Sequence, residues 1–124
     1  MDRAAILFVE DNSVFAFWNA EFLRECGFRV INAEGAPDAL RVIDGAEPIA
    51  ALVTDIHLGP GQDGFEVARR ARAAYPELPV VFISGLPPER HAHEGVDGSE
   101  FISKPFHPRD VLDALARTRR FSAG

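Results

Sequence analysis

Five polar residues stand just behind short apolar runs in this sequence, and their types suit phosphoryl chemistry around a hard cation. Glu10 and Asp11 follow Ala4-Ala5-Ile6-Leu7-Phe8-Val9, and Asp55 follows Ile49-Ala50-Ala51-Leu52-Val53 after one threonine. Ser84 follows Val80-Val81-Phe82-Ile83, and Lys104 follows Glu100-Phe101-Ile102-Ser103. Three carboxylates brought together raise one another's proton affinity unless a cation neutralises them. Magnesium, or manganese in its place, is the simplest remedy: magnesium takes oxygen ligands and is typically held by one or two carboxylates plus phosphate oxygens. Lys104 adds a compact positive charge and Ser84 a hydroxyl, both suited to the equatorial oxygens of a phosphoryl group.

Taken singly, each residue has a plainer reading. Glu10, Asp11 and Asn12 equally suit the start of a helix near Ser13, where acids and asparagine are favoured. Asp55 alone is a loop acid, Ser84 a turn hydroxyl and Lys104 a solvated surface lysine. A shared site is favoured because four run ends carry complementary chemistry at once.

Continuous apolar runs of this length fit strands buried on both faces. The second of the five runs is Phe28-Arg29-Val30-Ile31. Between the runs, residues 13–26, 36–44, 63–75 and 108–120 carry apolar side chains at three- and four-residue steps, the mark of amphipathic helices. Alternating strands and helices require parallel pairing, so the expected class is α/β, a doubly wound parallel sheet with helices on both faces. Ligands of such sheets bind beyond the carboxyl ends of the strands, where the five polar residues fall. Gly27 suits a helix C-cap, Pro37 and Pro108 suit first helical turns, and Gly45, Pro48, Pro76 and Pro79 punctuate the connections. From Gly85 to Ser99, Pro87, Pro88, Gly95 and Gly98 leave room for only a short, mobile helix near 88–94.

The chain has 124 residues, a single-domain length. Its 13 basic and 19 acidic residues give a charge of -6, which repels nucleic acid and anionic lipid. One cysteine, Cys26, can form no internal disulfide, no basic region leads into a signal-peptide core after Met1-Asp2-Arg3, and no apolar stretch reaches bilayer length. The expectation is a cytoplasmic protein without membrane insertion or nucleic-acid binding.

Together the stretches Ile6-Leu7-Phe8-Val9-Glu10-Asp11-Asn12, Leu52-Val53-Thr54-Asp55-Ile56-His57-Leu58, Asp63-Gly64-Phe65-Glu66, Phe82-Ile83-Ser84-Gly85 and Lys104-Pro105-Phe106 resemble the receiver domain of response regulators in two-component signalling. The resemblance runs from the first strand to the last helix. It implies a flavodoxin-like five-stranded sheet in the order 2-1-3-4-5, here with a short or irregular fourth helix. It implies that Asp55 accepts a phosphoryl group from a histidine kinase or histidine phosphotransfer protein, and that Asp11 and Asp55 bind magnesium with Glu10 acting through water. His57 would lend the metal its backbone carbonyl, with its imidazole toward the mouth of the site. Ser84 and Phe101 match the family's switch pair and Lys104 its phosphate-binding lysine, and the Lys104-Pro105 bond is commonly cis in the family.

Two departures from the family pattern stand out. The loop Gly59-Pro60-Gly61-Gln62 is one residue longer than usual, and the interval from Ser84 to Phe101 about two shorter, which puts the usual partner and dimer face in question. His91, His93 and Glu94 make a poor zinc set and read as solvated loop residues. A hydrolase elbow at Ser84 fails because Phe82 stands where glycine is needed. Arg117, Arg119 and Arg120 suit a helix C-terminus. Phe15, Phe17, Trp18 and Phe22 read as packing of the first helix, a common kinase-docking face in the family.

The expected protein is therefore one receiver domain over 1–124, a phosphorylation switch acting through an unidentified protein target, with a homodimer as one arrangement. A stand-alone chain and a receiver cut from a hybrid kinase both fit. Two other readings compete. A magnesium-dependent phosphatase needs a second acid where His57 stands, and a constitutively binding pseudo-receiver is disfavoured by the intact acid, hydroxyl and lysine set.

Overall fold

A computed structural model describes residues 4–59, 63–85, 91 and 94–118. Five strands, β1 (Ala5–Val9), β2 (Val30–Ala33), β3 (Ile49–Asp55), β4 (Val80–Ser84) and β5 (Glu100–Ser103), form one parallel sheet in the order β2-β1-β3-β4-β5. Four described helices flank it: α1 (Ser13–Glu25), α2 (Ala36–Asp44), α3 (Gly64–Ala74) and α4 (Pro108–Arg117). Of the short helix expected near 88–94, His91 and Glu94 are helical. The rest of that stretch, the extra loop residues Pro60-Gly61-Gln62, and Arg119 and Arg120 lie outside the described residues.

Side chains alternate across the pleat, so each strand feeds two cores. Leu7, Val9, Leu52, Val80 and Phe82 pack with Ala39 and Ile43 of α2 and Phe65 and Ala68 of α3. Ile6, Phe8, Val53, Val81 and Ile83 pack with Ala20 and Leu23 of α1 and Val111 and Leu115 of α4. Burial on both faces is what lets β1, β3 and β4 read as unbroken apolar runs.

The helix ends follow their sequence signals. Asn12 caps α1, its side chain accepting from Phe15 N, and Asp63 caps α3 by accepting from Glu66 N. His107 caps α4 in a reciprocal box with Asp110, with Pro108 following it. At the end of α1, Gly27 takes φ 96°, its N–H donates to Arg24 O at 2.9 Å, and Phe28 N–H donates to Leu23 O at 3.1 Å. That pair of bonds is the Schellman arrangement. It also corrects one boundary: Phe28 serves the helix end, and β2 starts at Val30.

Between β3 and α3 the chain returns tightly onto itself. Gly64 N–H donates to Ile56 O at 2.8 Å, and a Cβ at Gly64 would lie 2.2 Å from the main-chain oxygen of Asp55. Backbone on both sides leaves no flexible atom to yield. Gly64→Ala is therefore expected to destabilise the fold by about 1–3 kcal/mol, the usual cost of overpacking. Urea unfolding that left the midpoint unchanged would contradict this close approach.

Candidate functional site

The register of the sheet gathers the polar residues at one edge. Val9 pairs with Thr54, Asp55 with Ile83, and Ser84 with Ser103, so Glu10, Asp55, Ser84 and Lys104 stand at the carboxyl ends of four neighbouring strands. Lys104 N–H donates to Ser84 O at 2.8 Å, continuing the ladder one residue beyond β5. The Lys104-Pro105 peptide is cis.

At the centre, the Lys104 ammonium donates to Asp55 Oδ2 at 2.8 Å and to Glu10 Oε1 at 3.1 Å. Glu10 Oε2 accepts the Asn12 N–H at 3.1 Å, and Asp55 Oδ1 accepts the His57 N–H at 3.3 Å. Glu10, Asp55 and Ser84 are buried, Lys104 is partly buried, and Asp11 and His57 are exposed. One carboxylate oxygen from each of Glu10, Asp11 and Asp55 falls within 4.8 Å of the others, a hard-oxygen set open to solvent on the Asp11 side.

The charges do not balance. Three carboxylates face one ammonium, and two of the acids are out of water. Burial raises the Glu10 pKa, the nearby Asp55 charge adds to that, and the bonds from Asn12 and Lys104 oppose it. Burial alone would lower the Lys104 pKa, but its bonds to Asp55 and Glu10 and their charges outweigh that, and the ammonium is held above its ordinary value. A cation bound among the acids would relieve the excess negative charge.

Phe101 is partly buried and packs against the core of the α2 and α3 face. His91, which the sequence placed in a solvated loop, instead sits partly buried, its ring 5.5 Å from that of Phe82 and 5.8 Å from that of Phe101. Ser99 Oγ–H is given to Val96 O at 2.6 Å, so at 2.9 Å His91 Nε2 is the donor to Ser99 Oγ. Nothing in the local sequence marks it, because the contacts come from β4 and β5. Phe15 likewise proves to be a wall of the site, its ring beneath the Lys104 ammonium at 5.3 Å. Of the residues read as core or surface packing of the first helix, Phe17 and Trp18 fall on the surface, 60% and 69% exposed.

The chain is similar to known proteins over most of its length. The family model described as response regulator receiver domain matches residues 6–116. The response regulator receiver protein CpdR of Brucella abortus is 32% identical over 117 residues, covering 90% of this chain and 93% of that protein. A response regulator receiver protein from Sinorhizobium medicae superposes with a TM-score of 0.89 at 29% identity, covering 94% of each chain. A response regulator from Burkholderia pseudomallei, solved with a phosphorylated aspartic acid, calcium ion and citrate, superposes with a TM-score of 0.78 at 26% identity, covering 91% of this chain and 66% of that one. Other matching relatives are longer, and the chain spans less than half of their length.

Burial lowers the His91 pKa below 6.5, against a smaller opposing effect of the Glu100 carboxylate. A lowered folded pKa means that the unfolded chain binds the proton more tightly, so the stabilisation is present above pH 6.5 and is lost as pH falls toward the folded value. Wild type is expected to lose more stability than His91→Gln between pH 7.5 and 5 in parallel urea titrations. Identical pH profiles would contradict the buried neutral imidazole.

Proposed function

From the premise that this chain belongs to the response regulator receiver family, a signalling family, we propose that it accepts a phosphoryl group on Asp55 and uses the modification to change how it binds another protein. The observation that carries the reading is the Lys104 ammonium held between two buried carboxylates from separate strands, one of them Asp55. A carboxylate oxygen of Asp55 would attack phosphorus as the bond to the donor histidine nitrogen breaks, leaving the nitrogen with the electron pair. Glu10, Asp11 and Asp55 would hold magnesium or manganese, with the His57 carbonyl as a further ligand. The ion, when bound, offsets negative charge on the phosphoryl oxygens. The relative carrying both a phosphorylated aspartic acid and a calcium ion supports this pairing of modification and metal.

Lys104 would place its positive charge on one phosphoryl oxygen, and the Ser84 hydroxyl would turn toward another. Modification replaces the single negative charge of the Asp55 carboxylate with the roughly two of a phosphoryl dianion, and moves that charge outward from the edge of the sheet. Phe101, on β5 next to that edge, would then change its burial as the switch of partner affinity. We read the whole of residues 1–124 as one receiver domain acting in the cytoplasm. Among the described residues no helix is long and apolar enough to cross a membrane.

The phosphodonor would be a histidine kinase or histidine phosphotransfer protein meeting the exposed Val14, Phe17 and Trp18 of α1, the helix whose cap Asn12 donates to Glu10. Large aromatics that are exposed yet adjacent to chemistry suit an interface anchor.

Two outcomes test the proposal. With magnesium and a small phosphodonor, wild type is expected to gain one phosphoryl group by mass and Asp55→Asn none; beryllofluoride at a hundred times its Kd should stabilise wild type by about 2.7 kcal/mol. Equal modification of the variant would sink the assignment of Asp55. Separately, Trp18→Ala is expected to slow transfer from a phosphorylated histidine phosphotransfer protein about tenfold or more. Its rate with the small phosphodonor should stay at the wild-type value, and a parallel loss in both assays would remove α1 as the docking face.

A further inference from the structure

Phe15 stands against the centre of the site, yet neither accepting a phosphoryl group nor holding a metal uses it. Lys104 Nζ lies 5.3 Å from the centroid of its ring, within the roughly 6 Å over which the face of an aromatic ring attracts an ammonium. The ring is fixed from several sides. Phe106, two residues beyond Lys104, meets it edge-on with centroids 5.2 Å apart and planes at 79°. Phe15 N–H donates to Asn12 Oδ1 at 3.0 Å, and Phe15 O accepts from Asn19 Nδ2 at 2.9 Å.

These contacts close a circuit. Asn12, which caps α1 and so sets where Phe15 lies, donates its own N–H to Glu10 Oε2, while Glu10 Oε1 accepts from Lys104, whose ammonium rests against Phe15. The ammonium thus has two carboxylate oxygens and one ring for neighbours. A long, flexible lysine side chain loses much conformational freedom when fixed, and a ring held in place in advance reduces what must be lost when a phosphoryl group arrives. The ring also keeps water from one flank of the ion pairs, which strengthens them.

We propose that Phe15 is a positioning residue of the phosphoryl site, its ring face holding the Lys104 ammonium over Asp55 through a cation–π contact. The inference rests on the reading that Lys104 serves a phosphoryl group on Asp55. The ring takes no part in bond making; it acts through Lys104. The competing account is plain apolar packing of Phe15 against Phe106, and the two differ in their response to ring electronics. Adding fluorine weakens the negative face of the ring while hardly changing its shape and leaving it at least as apolar. Packing alone therefore predicts constant or tighter binding across a fluorinated series, and the cation–π contact predicts weaker binding.

The test places phenylalanine or its mono-, di- and trifluorinated forms at position 15 of the full chain and measures beryllofluoride affinity with magnesium present. Affinity is expected to fall stepwise, about two- to fivefold over the series, with Phe15→Trp at or above wild type and Phe15→Leu at or below the trifluorinated ring. A flat or rising series, with wild-type affinity intact and abolished by Asp55→Asn, overturns the role of Phe15 and leaves the phosphoryl-site reading standing. Wild type that binds no beryllofluoride, or binds it as well as Asp55→Asn does, overturns both.

Discussion

The bond between the Lys104 ammonium and the buried carboxylates of Glu10 and Asp55 joins the ends of three strands, and the rest of the site is arranged around it. Its members are 94 and 49 residues apart in the chain. Only the parallel register brings them together, and a one-residue slip would turn each side chain to the opposite face of the sheet. The two apolar cores prevent that slip. Leu52 and Val53 are each completely buried on opposite faces, and a slip would exchange them between two close-packed cores of different shape. Packing energy in the body of the sheet thus fixes the geometry of charges at its edge.

Holding two acids out of water beside one base is costly unless the pairing is good. Here each buried acid accepts a backbone N–H as well as the ammonium: Asn12 serves Glu10 and His57 serves Asp55. The raised Glu10 pKa records what is left of the imbalance. Such a site is poised to take a cation, and the exposed Asp11 stands on the side from which one would enter. Gly64 belongs to the same construction. With the Asp55 main chain so near, any side chain there would press on the strand end that carries the Asp55 carboxylate.

How much of this could be read from the sequence depended on whether the signal was local. Most strand runs, the Asn12 cap, the glycine closing α1 and Pro108 in the first turn of α4 are encoded within a few residues, and they lie where pattern reading puts them; the caps at Asp63 and His107 emerge from the structure. The strand-end residues Glu10, Asp55, Ser84 and Lys104 were legible because parallel topology sends every strand end to one edge. Phe28 misled because its ring packs partly buried against the core while its N–H closes the end of α1, so an apolar residue there lies before the strand and not in it. His91 was misplaced for the opposite reason: its partners Phe82 and Phe101 come from strands distant in the chain. Phe15 packs against the core as its place on the first helix suggested, but its contact with Lys104 comes from far along the chain and has no local mark. A single aromatic residue on an amphipathic helix carries no mark that distinguishes core packing from a place against an ammonium.

The first helix therefore joins two tasks that usually fall to different elements. Its N-terminal turn is tied to the charges through Asn12 and Phe15, and its first two turns present Val14, Phe17 and Trp18 to solvent. Residues facing in and out at adjacent positions on one short, capped stretch move together, because a helix has little freedom to adjust one face alone. A partner that pressed on Phe17 and Trp18 would load the same backbone that sets the Phe15 ring against Lys104. Under the proposed docking on α1, recognition of a phosphodonor and the alignment of Lys104 with Asp55 would be coupled through about one turn of helix, without any longer route through the sheet.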